Sequence, residues 1–515
     1  MAGLVGYLVD CLDAVGLLSW QGLLRFIGAL LILSLLSVVY TAVRNLYFHP
    51  LSHIPGPKVW IALPGSIFVY MAKGVSDFKI RSFHERYGEV VRVGPNSISF
   101  INPDAWKDVY GHGHVEFPKH FPAGIRMDKR SILASSATDH FRYRRAMLPA
   151  FSDKALLQQE PLIRVYVDLL VKRLREVSQT SESTNMVRWF NFTTFDLIAD
   201  LAYGTPLQGL AEGKSNLWLD NIKNLLKIMP VLALVGASPM LRAIMQLLAG
   251  SKIRNAQANH LAAVEKLAND RIHHRKHADR GDFMDFMMRS RGQPHEMRDD
   301  ELVVNADLIM VAGSETTASL LSGVTYWLLK TPHTLKRITE EVRQAFTSDE
   351  EITFTDARAK LPYMMACLDE GLRMFPPVPL LLSRVVPDGP PVQIAGVTVP
   401  EKTQVGVHQL SAYSSELNFH RAREFIPERW LPESTSDPTS PFFNDRRDAH
   451  KPFSFGPRDC IGRNLALHEM RLILAKVLWN FDLSLDSSCD SWHDQRIMAL
   501  WEKPPLQVYI RPRSP

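Results

Sequence analysis

The stretch KPFSFGPRDCIGRNLA, residues 451–466, has the pattern of a tight loop that leads into a helix. Cys460 follows a Gly-Pro turn, with Arg458 two residues before it and Gly462 two residues after it. The residues that follow are apolar at three- and four-residue spacing, which indicates an amphipathic helix. Cys460 is therefore predicted at a helix N-terminus, where unpaired N–H groups and the helix dipole favour a thiolate over a thiol.

Two other interpretations of this cysteine are weaker. A small buried cysteine would be the default for a lone residue, but the glycines and the arginine around Cys460 form a complete loop pattern. A zinc site needs a second Cys or His at ligand spacing. His468 is eight residues away and no C-x-x-C pair is present, so the sequence does not favour zinc.

Five residues of the loop, Phe453, Gly456, Arg458, Cys460 and Gly462, match the haem-ligand loop F-x-x-G-x-R-x-C-x-G of the cytochrome P450 superfamily. The resemblance implies haem as the cofactor and Cys460 as the axial ligand of its iron. It implies a mainly α-helical fold with a smaller β region. The sequence is most similar in texture to membrane-anchored fungal members of secondary metabolism.

The N-terminal segment has the composition of a membrane anchor. FIGALLILSLLSVVYTAV is 18 residues without a charge, which is long enough for one transmembrane helix. A cleaved signal peptide would be shorter and would start earlier. The positive charge that follows favours a cytosolic catalytic domain, and the resemblance implies the endoplasmic reticulum membrane. We expect a lumenal or interfacial segment at 1–25, the anchor at 26–43, a basic and Pro-rich linker at 44–60, and the catalytic domain at 61–515.

Composition excludes several other classes of protein. The chain has 515 residues and 46% are hydrophobic, and no low-complexity linker divides it after residue 60, so one large domain is favoured over several. The net charge of +5 is spread along the sequence, which makes a nucleic-acid partner improbable. Four cysteines give no disulfide framework and suit a reducing compartment.

Three stretches predict the arrangement of elements. Residues 90–100, VVRVGPNSISF, predict two short strands around a Gly-Pro-Asn turn. Residues 299–330 predict one long helix. The apolar residues 217–250 are expected to be broken at Pro230 and Pro239. This region resembles the helix pair that covers the substrate channel in the family and dips into the membrane surface.

Cationic residues are predicted to hold the acidic groups of the haem. His140 and Arg144 lie one helical turn apart, so an imidazole and a guanidinium can face a common acidic ligand. The resemblance implies that Arg144 binds a haem propionate with help from His140, and that Arg384 and Arg458 are further propionate ligands. A solvated basic helix face is the alternative interpretation.

The middle of the long predicted helix carries AGSETT, residues 312–317, which is locally unfavourable for a helix. We expect Gly313 to allow a flat macrocycle close to the backbone. Thr316 could turn its hydroxyl inward and Glu315 could supply a carboxylate. The motif resembles the family's oxygen-side sequence, which implies that Glu315 and Thr316 deliver protons during dioxygen activation.

A Glu-x-x-Arg pair, Glu370 and Arg373, lies on one predicted helix face. Alone it would be an ordinary surface ion pair. The PERW sequence at 427–430 resembles the family's partner stretch, which implies that Arg429 completes a buried structural triad. Removal of one member of such a triad would leave an unpaired buried charge.

The function implied by the resemblance is insertion of one oxygen atom from O2 into an apolar small molecule. Electrons would come from NADPH through a separate flavoprotein reductase, with cytochrome b5 as a further candidate partner, because the sequence has no G-x-G-x-x-G dinucleotide motif after a strand. Two alternatives are an oxygen-independent isomerase or dehydratase of the same family and a membrane-anchored haem sensor. The Gly313–Thr316 sequence argues against both, since neither needs a proton-delivery pair.

Overall fold

The computed structural model describes residues 20–122, 125, 127–180, 182–215, 217–273 and 280–513. The described chain is mainly α-helical with small β-sheets, as the sequence predicts. Most of the segment expected at residues 1–25 lies outside the described residues.

The helices carry most of the described chain. The α-helices are α1 Trp20–Val43, α2 Lys58–Ala62, α3 Ser66–Ala72, α4 Ser76–Tyr87, α5 Asp104–Tyr110, α6 Ala137–Met147, α7 Asp153–Val177, α8 Met186–Tyr203, α9 Gly209–Glu212, α10 Leu217–Ala237, α11 Pro239–His273, α12 Phe283–Met288, α13 Asp299–Lys330, α14 Pro332–Ala345, α15 Phe354–Lys360, α16 Pro362–Met374, α17 Gln409–Tyr413, α18 Pro432–Ser436 and α19 Arg463–Asn480. A π-helical turn covers Arg44–Phe48. Short 3₁₀ turns cover Leu148–Phe151, Ser178–Thr180, Asp349–Glu351, Pro427–Trp430, Arg447–Ala449, Gly456–Arg458 and Ser487–Cys489.

The strands form small sheets at the edges of the helical body. They are β1 Val90–Gly94, β2 Ser97–Phe100, β3 Thr184–Asn185, β4 Arg384–Val385, β5 Val392–Ile394, β6 Val397–Val399, β7 Gln404–Val407, β8 Phe481–Leu485, β9 Ile497–Met498, β10 Leu500–Trp501 and β11 Gln507–Pro512. The largest sheet has the order β1-β2-β7-β4, in which β2 and β7 are parallel and the other pairs are antiparallel. The others have the orders β3-β11-β8, β5-β6 and β9-β10.

Two hydrophobic cores meet at the loop that contains Cys460. The larger core is built from α6, α7, α8, α12, α13, α16 and α19, and the second lies between the β1-β2-β7-β4 sheet and α5. Phe453 packs against the first core and Phe455 against the second. The loop is therefore fixed between two packed bodies, which limits its motion.

Element boundaries test the sequence predictions directly. The hairpin β1–β2 and the single helix α13 are confirmed, the latter with the predicted ends. The predicted break at Pro230 is wrong, because α10 continues through it. Helices tolerate an internal proline at the loss of one hydrogen bond, and neighbouring packing can outweigh that loss. The break near Pro239 is confirmed, since α11 begins there.

The N-terminal helix has the character of a membrane span. Residues Trp20–Phe48 form a 29-residue helical stretch with a mean hydropathy of 2.4 over its most apolar window, and that window is unburied. The α-helix continues as a π-helical turn over Arg44–Phe48, within the segment that was expected to be a linker from residue 44. Its π-helical extension is held by Arg92, whose guanidinium donates to the carbonyl of Asn45 at 2.9 Å and to that of Pro95 at 2.6 Å. Since Arg92 is buried, the helix ends in a fixed contact with strand β1.

Candidate active site

The loop before α19 holds Cys460 in a defined backbone position. The Cys460 N–H donates to the carbonyl of Phe453 at 2.8 Å. Gly456 has φ +80°, and a Cβ there would lie 1.8 Å from the carbonyl oxygen of Tyr110. No other residue type fits at Gly456. Gly462 differs, because its backbone is ordinary and an added Cβ would meet only normal contacts near 4 Å.

The thiol of Cys460 is accessible. Among the three cysteines in the described part of the chain, it alone is exposed. Although Cys460 is exposed to solvent, the protein around it desolvates the thiol and raises its pKa above the usual value, while the Gly462 N–H and the charges of Arg144 and Arg463 lower it. The thiolate expected at the helix N-terminus stays a prediction.

Cationic side chains cluster around His140. Burial, together with the charges of Arg458, Lys119, Arg144 and Arg384, lowers the pKa of His140 to about 3. The imidazole is therefore neutral. Lys119 was not predicted, and its pKa falls to about 7 because of burial and the neighbouring Arg384 and Arg458.

Arg144 and Arg458 each have a carboxylate partner. Arg144 forms an ion pair with the carboxylate of Asp459, and it donates to the Asp459 carbonyl at 2.8 Å. Arg458 lies 2.5 Å from the carboxylate of Glu116.

Arg384 and Lys119 complete the cluster, and neither forms an ion pair with a carboxylate among the described residues. Arg384 donates to the carbonyl of Phe117 at 3.2 Å. Arg384 and Lys119 also form an isolated backbone bridge. Three arginines thus share two carboxylates, Glu116 and Asp459, and Lys119 adds part of a positive charge near pH 7. The resulting excess of positive charge suits an anionic group.

The centre of α13 has one accessible turn. Ala312 is exposed and Thr316 is half-exposed, whereas most residues that follow to the end of the helix are buried. The hydroxyl of Thr316 donates to the Ala312 carbonyl at 2.6 Å. A hydroxyl that donates in this way keeps lone pairs that can accept a hydrogen bond from water.

Gly313 has a packing function in the structure. A Cβ at this position would lie 2.9 Å from Cδ1 of Ile198 on α8, which is closer than a normal carbon–carbon contact. The hydroxyl of Thr194 on α8 donates to the Ser314 carbonyl at 3.0 Å, one residue further along α13. Close approach of two helices thus explains the glycine, whereas the sequence suggested approach of a macrocycle; that second function stays a prediction.

Glu315 points to a partner that the sequence did not indicate. Its carboxylate forms a buried ion pair with Nζ of Lys503, and its Oε1 atom has no hydrogen-bond partner. Glu315 and Thr316 are therefore adjacent in sequence, but their side chains have different partners.

Glu370, Arg373 and Arg429 meet in a fully buried network. Arg373 binds the Glu370 carboxylate with two hydrogen bonds of 2.7 and 2.8 Å, and Arg429 Nε donates to Glu370 Oε1 at 3.2 Å. Trp430 Nε1 donates to the second oxygen at 2.8 Å. Asp445, which the sequence did not indicate, accepts from Arg429 at 2.6 Å. Two arginines thus face two carboxylates, so the buried charge is balanced.

A second buried carboxyl lies behind α13. Desolvation raises the pKa of Glu469 to about 8, although a hydrogen bond from the Thr317 hydroxyl lowers it. Glu469 belongs to α19, is fully buried, and has one carboxyl oxygen without a partner. It is therefore neutral at pH 7. The sequence did not single out Glu469, because it belongs to no motif named above and most residues of α19 around it are buried too.

Comparison with known proteins identifies the class. The sequence profile of the family "Cytochrome P450" matches residues 54–510. A "Trichothecene C-4 hydroxylase" of Trichoderma arundinaceum is 45% identical over 479 residues, which are 93% of this chain and 96% of that protein. A "Cytochrome P450 monooxygenase dtxS2" of Metarhizium robertsii is 44% identical over 505 residues, 98% and 97% of the two chains. An "Averantin hydroxylase" of Dothistroma septosporum is 40% identical over 495 residues, 95% and 91% of the two chains.

These matches confirm the family that the Cys460 loop predicts. The chain belongs to the cytochrome P450 family and is a monooxygenase with a haem cofactor. The residues present fit haem: an accessible thiol lies at the start of α19, and the cations around His140 outnumber their carboxylate partners. Since a haem carries two propionates, it would supply the negative charge that this cluster lacks.

Proposed function

We propose that this chain inserts one oxygen atom from O2 into an apolar small molecule, an intermediate of secondary metabolism, with electrons from NADPH. The observation that carries the proposal is the accessible Cys460 thiol next to an excess of cations. Two relatives described as hydroxylases support a hydroxylation. Electrons would arrive through a separate flavoprotein reductase, with cytochrome b5 as a second candidate donor.

Cys460 would be the axial ligand of the haem iron, in a loop shaped by Phe453, Gly456 and Gly462. A thiolate ligand donates electron density to the iron, and haem supplies the oxygen activation when it is bound. The chain must therefore favour the thiolate form of Cys460. The Gly462 N–H and the charges of Arg144 and Arg463 lower the pKa of Cys460 in the structure.

The propionates would be bound by Arg144, Arg384 and Arg458, with His140 as a neutral neighbour. Arg144 would exchange its hydrogen bond to the Asp459 carboxylate for one to a propionate. A guanidinium suits this function because its planar donors bind two oxygens at once. The three arginines, which have only the carboxylates of Glu116 and Asp459 as partners, would then gain further anionic partners.

Proton transfer would use Thr316 and Glu315 on α13. Thr316 Oγ1 donates to Ala312, so its lone pairs can hold a water. Glu315 Oε1 has no hydrogen-bond partner, and it is the atom at which a proton would be taken up and released. The Glu370, Arg373 and Arg429 network would support the loop structurally.

The membrane would be that of the endoplasmic reticulum. The exposed apolar helix α1 would span the bilayer once and leave the catalytic domain in the cytosol. Substrates that dissolve in lipid would reach the domain from this surface. Exposed apolar side chains on α10 and α11, among them Leu225, Ile228 and Leu247, support contact with the same membrane.

The proposal is tested by replacing Cys460 with histidine. Reduced, CO-bound wild type should absorb at the position typical of thiolate-ligated haem, and Cys460→His should lose that band. Cys367→Ala is the matched control. Cys367 is a buried cysteine in the core, so this variant should keep the band. A variant that keeps the thiolate band without Cys460, or a wild type that consumes no NADPH in the presence of reductase and apolar substrates, would overturn the proposal.

A further inference from the structure

Lys503 and Glu315 form an ion pair inside the protein. Their side chains are 5% and 2% exposed, respectively. Nζ of Lys503 also lies 3.5 Å from the backbone carbonyl of Glu315, so the ammonium group sits directly on α13. Lys503 follows β10 near the end of the described chain and reaches the helix turn that carries Gly313 and Thr316. A residue distant in sequence thus contacts the segment proposed for proton transfer.

The backbone around Lys503 is held in an unusual conformation. Lys503 has φ +51°, in the left-handed region that few residues other than glycine adopt. Its N–H donates to Oε1 of Gln495 at 3.0 Å, and Gln495 in turn donates to the carbonyl of Trp492 at 2.8 Å. Gln495 is buried. A strained residue that is held by buried hydrogen bonds usually has a function, and here the conformation places Nζ on α13.

Lys503 supplies the positive charge beside the Glu315 carboxyl group. A buried carboxylate without a partner favours the neutral form, because burial disfavours charge. Among the described residues, Lys503 is the only cation within ion-pair distance of Glu315. One carboxyl oxygen binds Lys503, and the other has no partner. Lys503 therefore binds one oxygen of this carboxyl group, leaves the other oxygen free, and places a positive charge beside it.

We propose that Lys503 is a positioning residue for proton delivery, which holds Glu315 ionised with Oε2 bound and Oε1 free. This inference rests on the proposed function. A proton moves from water to Oε1 of Glu315 and then from Oε1 to a water held by Thr316, so the carboxylate returns to its starting state. No electron is transferred in these steps. Lys503 touches neither substrate nor haem and acts through Glu315.

The test compares Lys503→Met, Lys503→Arg and Glu315→Gln in the full chain with reductase. The measured quantity is product formed per NADPH across pH, at equal haem content. In Lys503→Met the acid limb of this profile should move to higher pH by about one unit or more, because the nearby cation is lost. Lys503→Arg should restore the wild-type profile, and Glu315→Gln should lower the ratio at every pH.

Lys476→Met is the matched control. Lys476 is an equally buried lysine on α19 that forms an ion pair with Asp168. Its replacement should lower stability without moving the pH profile. An unchanged profile in Lys503→Met, while Glu315→Gln still lowers the ratio, would overturn the inference and leave the proposed function intact. An unchanged ratio in Glu315→Gln would instead contradict the proton-transfer part of the proposed function.

Thermal unfolding gives a second readout that needs no activity. Without Lys503, burial should disfavour the charged form of Glu315, so the Lys503→Met variant should take up a proton on folding. The stability deficit of Lys503→Met should therefore grow as pH rises above the pKa of an unfolded glutamate. Glu315→Gln in the same chain should remove that growth. A deficit that is independent of pH would show that the pair does not set the charge of Glu315.

Discussion

Two buried carboxyl groups beside α13, those of Glu315 and Glu469, have different polar partners. Glu315 has an ammonium partner, whereas Glu469 has a hydroxyl partner and a pKa of about 8. Both groups are almost fully buried, so the polar partner and not the degree of burial distinguishes their surroundings.

The neutral Glu469 should make stability depend on pH. Because its folded pKa lies above its unfolded value, the folded state binds an extra proton between about pH 4.5 and 8, and stability falls as pH rises through that window. The slope from one such group is about 1.4 kcal/mol per pH unit. Glu469→Gln keeps the shape of the neutral acid and should flatten the dependence. Thermal unfolding in detergent at several pH values measures it.

The control for Glu469 is an exposed glutamate. Glu340 forms a surface pair with Lys336, and its side chain is 55% exposed. Glu340→Gln should leave the pH dependence of unfolding as in wild type. Parallel curves for Glu469→Gln and wild type between pH 5 and 8 would contradict the assignment of a neutral Glu469.

The residues of the site differ in how far the sequence predicts them. Phe453, Gly456, Arg458, Cys460 and Gly462 lie at fixed spacings within one loop, so the pattern is visible without the fold. No such local pattern marks the partners that complete the site, which are Lys119, Asp445 and Lys503. Each comes from a separate segment and has no local pattern, because only tertiary packing brings it to its partner. Their types alone, lysine and aspartate, are ordinary on a protein surface.

At the scale of elements, α8 and α13 form the central helix contact of the molecule. All residues of α8 except Arg188 are buried, which is unusual for a helix of a soluble domain. At Gly313 the two helices pack so closely that an added Cβ would lie 2.9 Å from Cδ1 of Ile198. The position of the turn that carries Thr316 therefore depends on the packing of α8.

Replacement of Gly313 with alanine should destabilise the protein. The added Cβ would clash with Ile198, and overpacking of this kind costs about 1–3 kcal/mol. The better helix propensity of alanine offsets about 1 kcal/mol of that cost. A double-mutant cycle with Ile198→Ala should show that the double variant loses less than the sum of the single variants. Chemical or thermal unfolding of the four proteins measures the coupling.

Gly250→Ala is a suitable control for this experiment. Gly250 is also helical, but an added Cβ would meet only the end of the flexible Arg254 side chain. It should be neutral or slightly stabilising. Additive losses in the Gly313 and Ile198 cycle would show that the two helices adjust without strain, and the packing explanation for Gly313 would then fail.

Helix boundaries were predicted well where the signal is local and poorly where packing decides. The ends of α13 follow from its polar first turn and the Thr-Pro sequence at its end, and both can be read without a structure. Pro230 is a local signal that packing overrides, so α10 continues as one helix. The strands β3, β9 and β10 have only two residues each, which is too few to show the alternating pattern of a strand.

At the scale of the whole molecule, the two proposed functions belong to separate parts of the chain. The apolar helix α1 would hold the protein in the membrane, and the folded domain that follows would bind haem. Deletion of residues 1–44 should release much of the protein from membranes and leave haem binding intact. The exposed apolar residues of α10 and α11 should retain part of it. Sedimentation with membranes, together with the CO difference spectrum of each fraction, measures both properties.

The control for the deletion is an exchange of the anchor. Replacement of residues 26–43 with an unrelated apolar run of equal length should keep the protein in the membrane fraction, because length and hydropathy determine spanning. Complete retention after the deletion would contradict the anchor. Loss of haem from an otherwise folded deletion variant would show that the helix also supports the catalytic domain.

The contact between Arg92 and the carbonyl of Asn45 has a kinetic consequence. A domain that is joined to its membrane helix by a flexible linker samples every orientation above the bilayer. Most of its collisions with another membrane protein therefore do not involve the face that binds. Here the π-helical turn at the end of the apolar helix is hydrogen-bonded to Arg92 of β1, so rotation about the tether is restricted. For a protein anchored through this helix, diffusion is confined to two dimensions with one face kept towards its neighbours. The orientational part of the search for an electron donor in the same membrane is then largely completed before the two proteins meet.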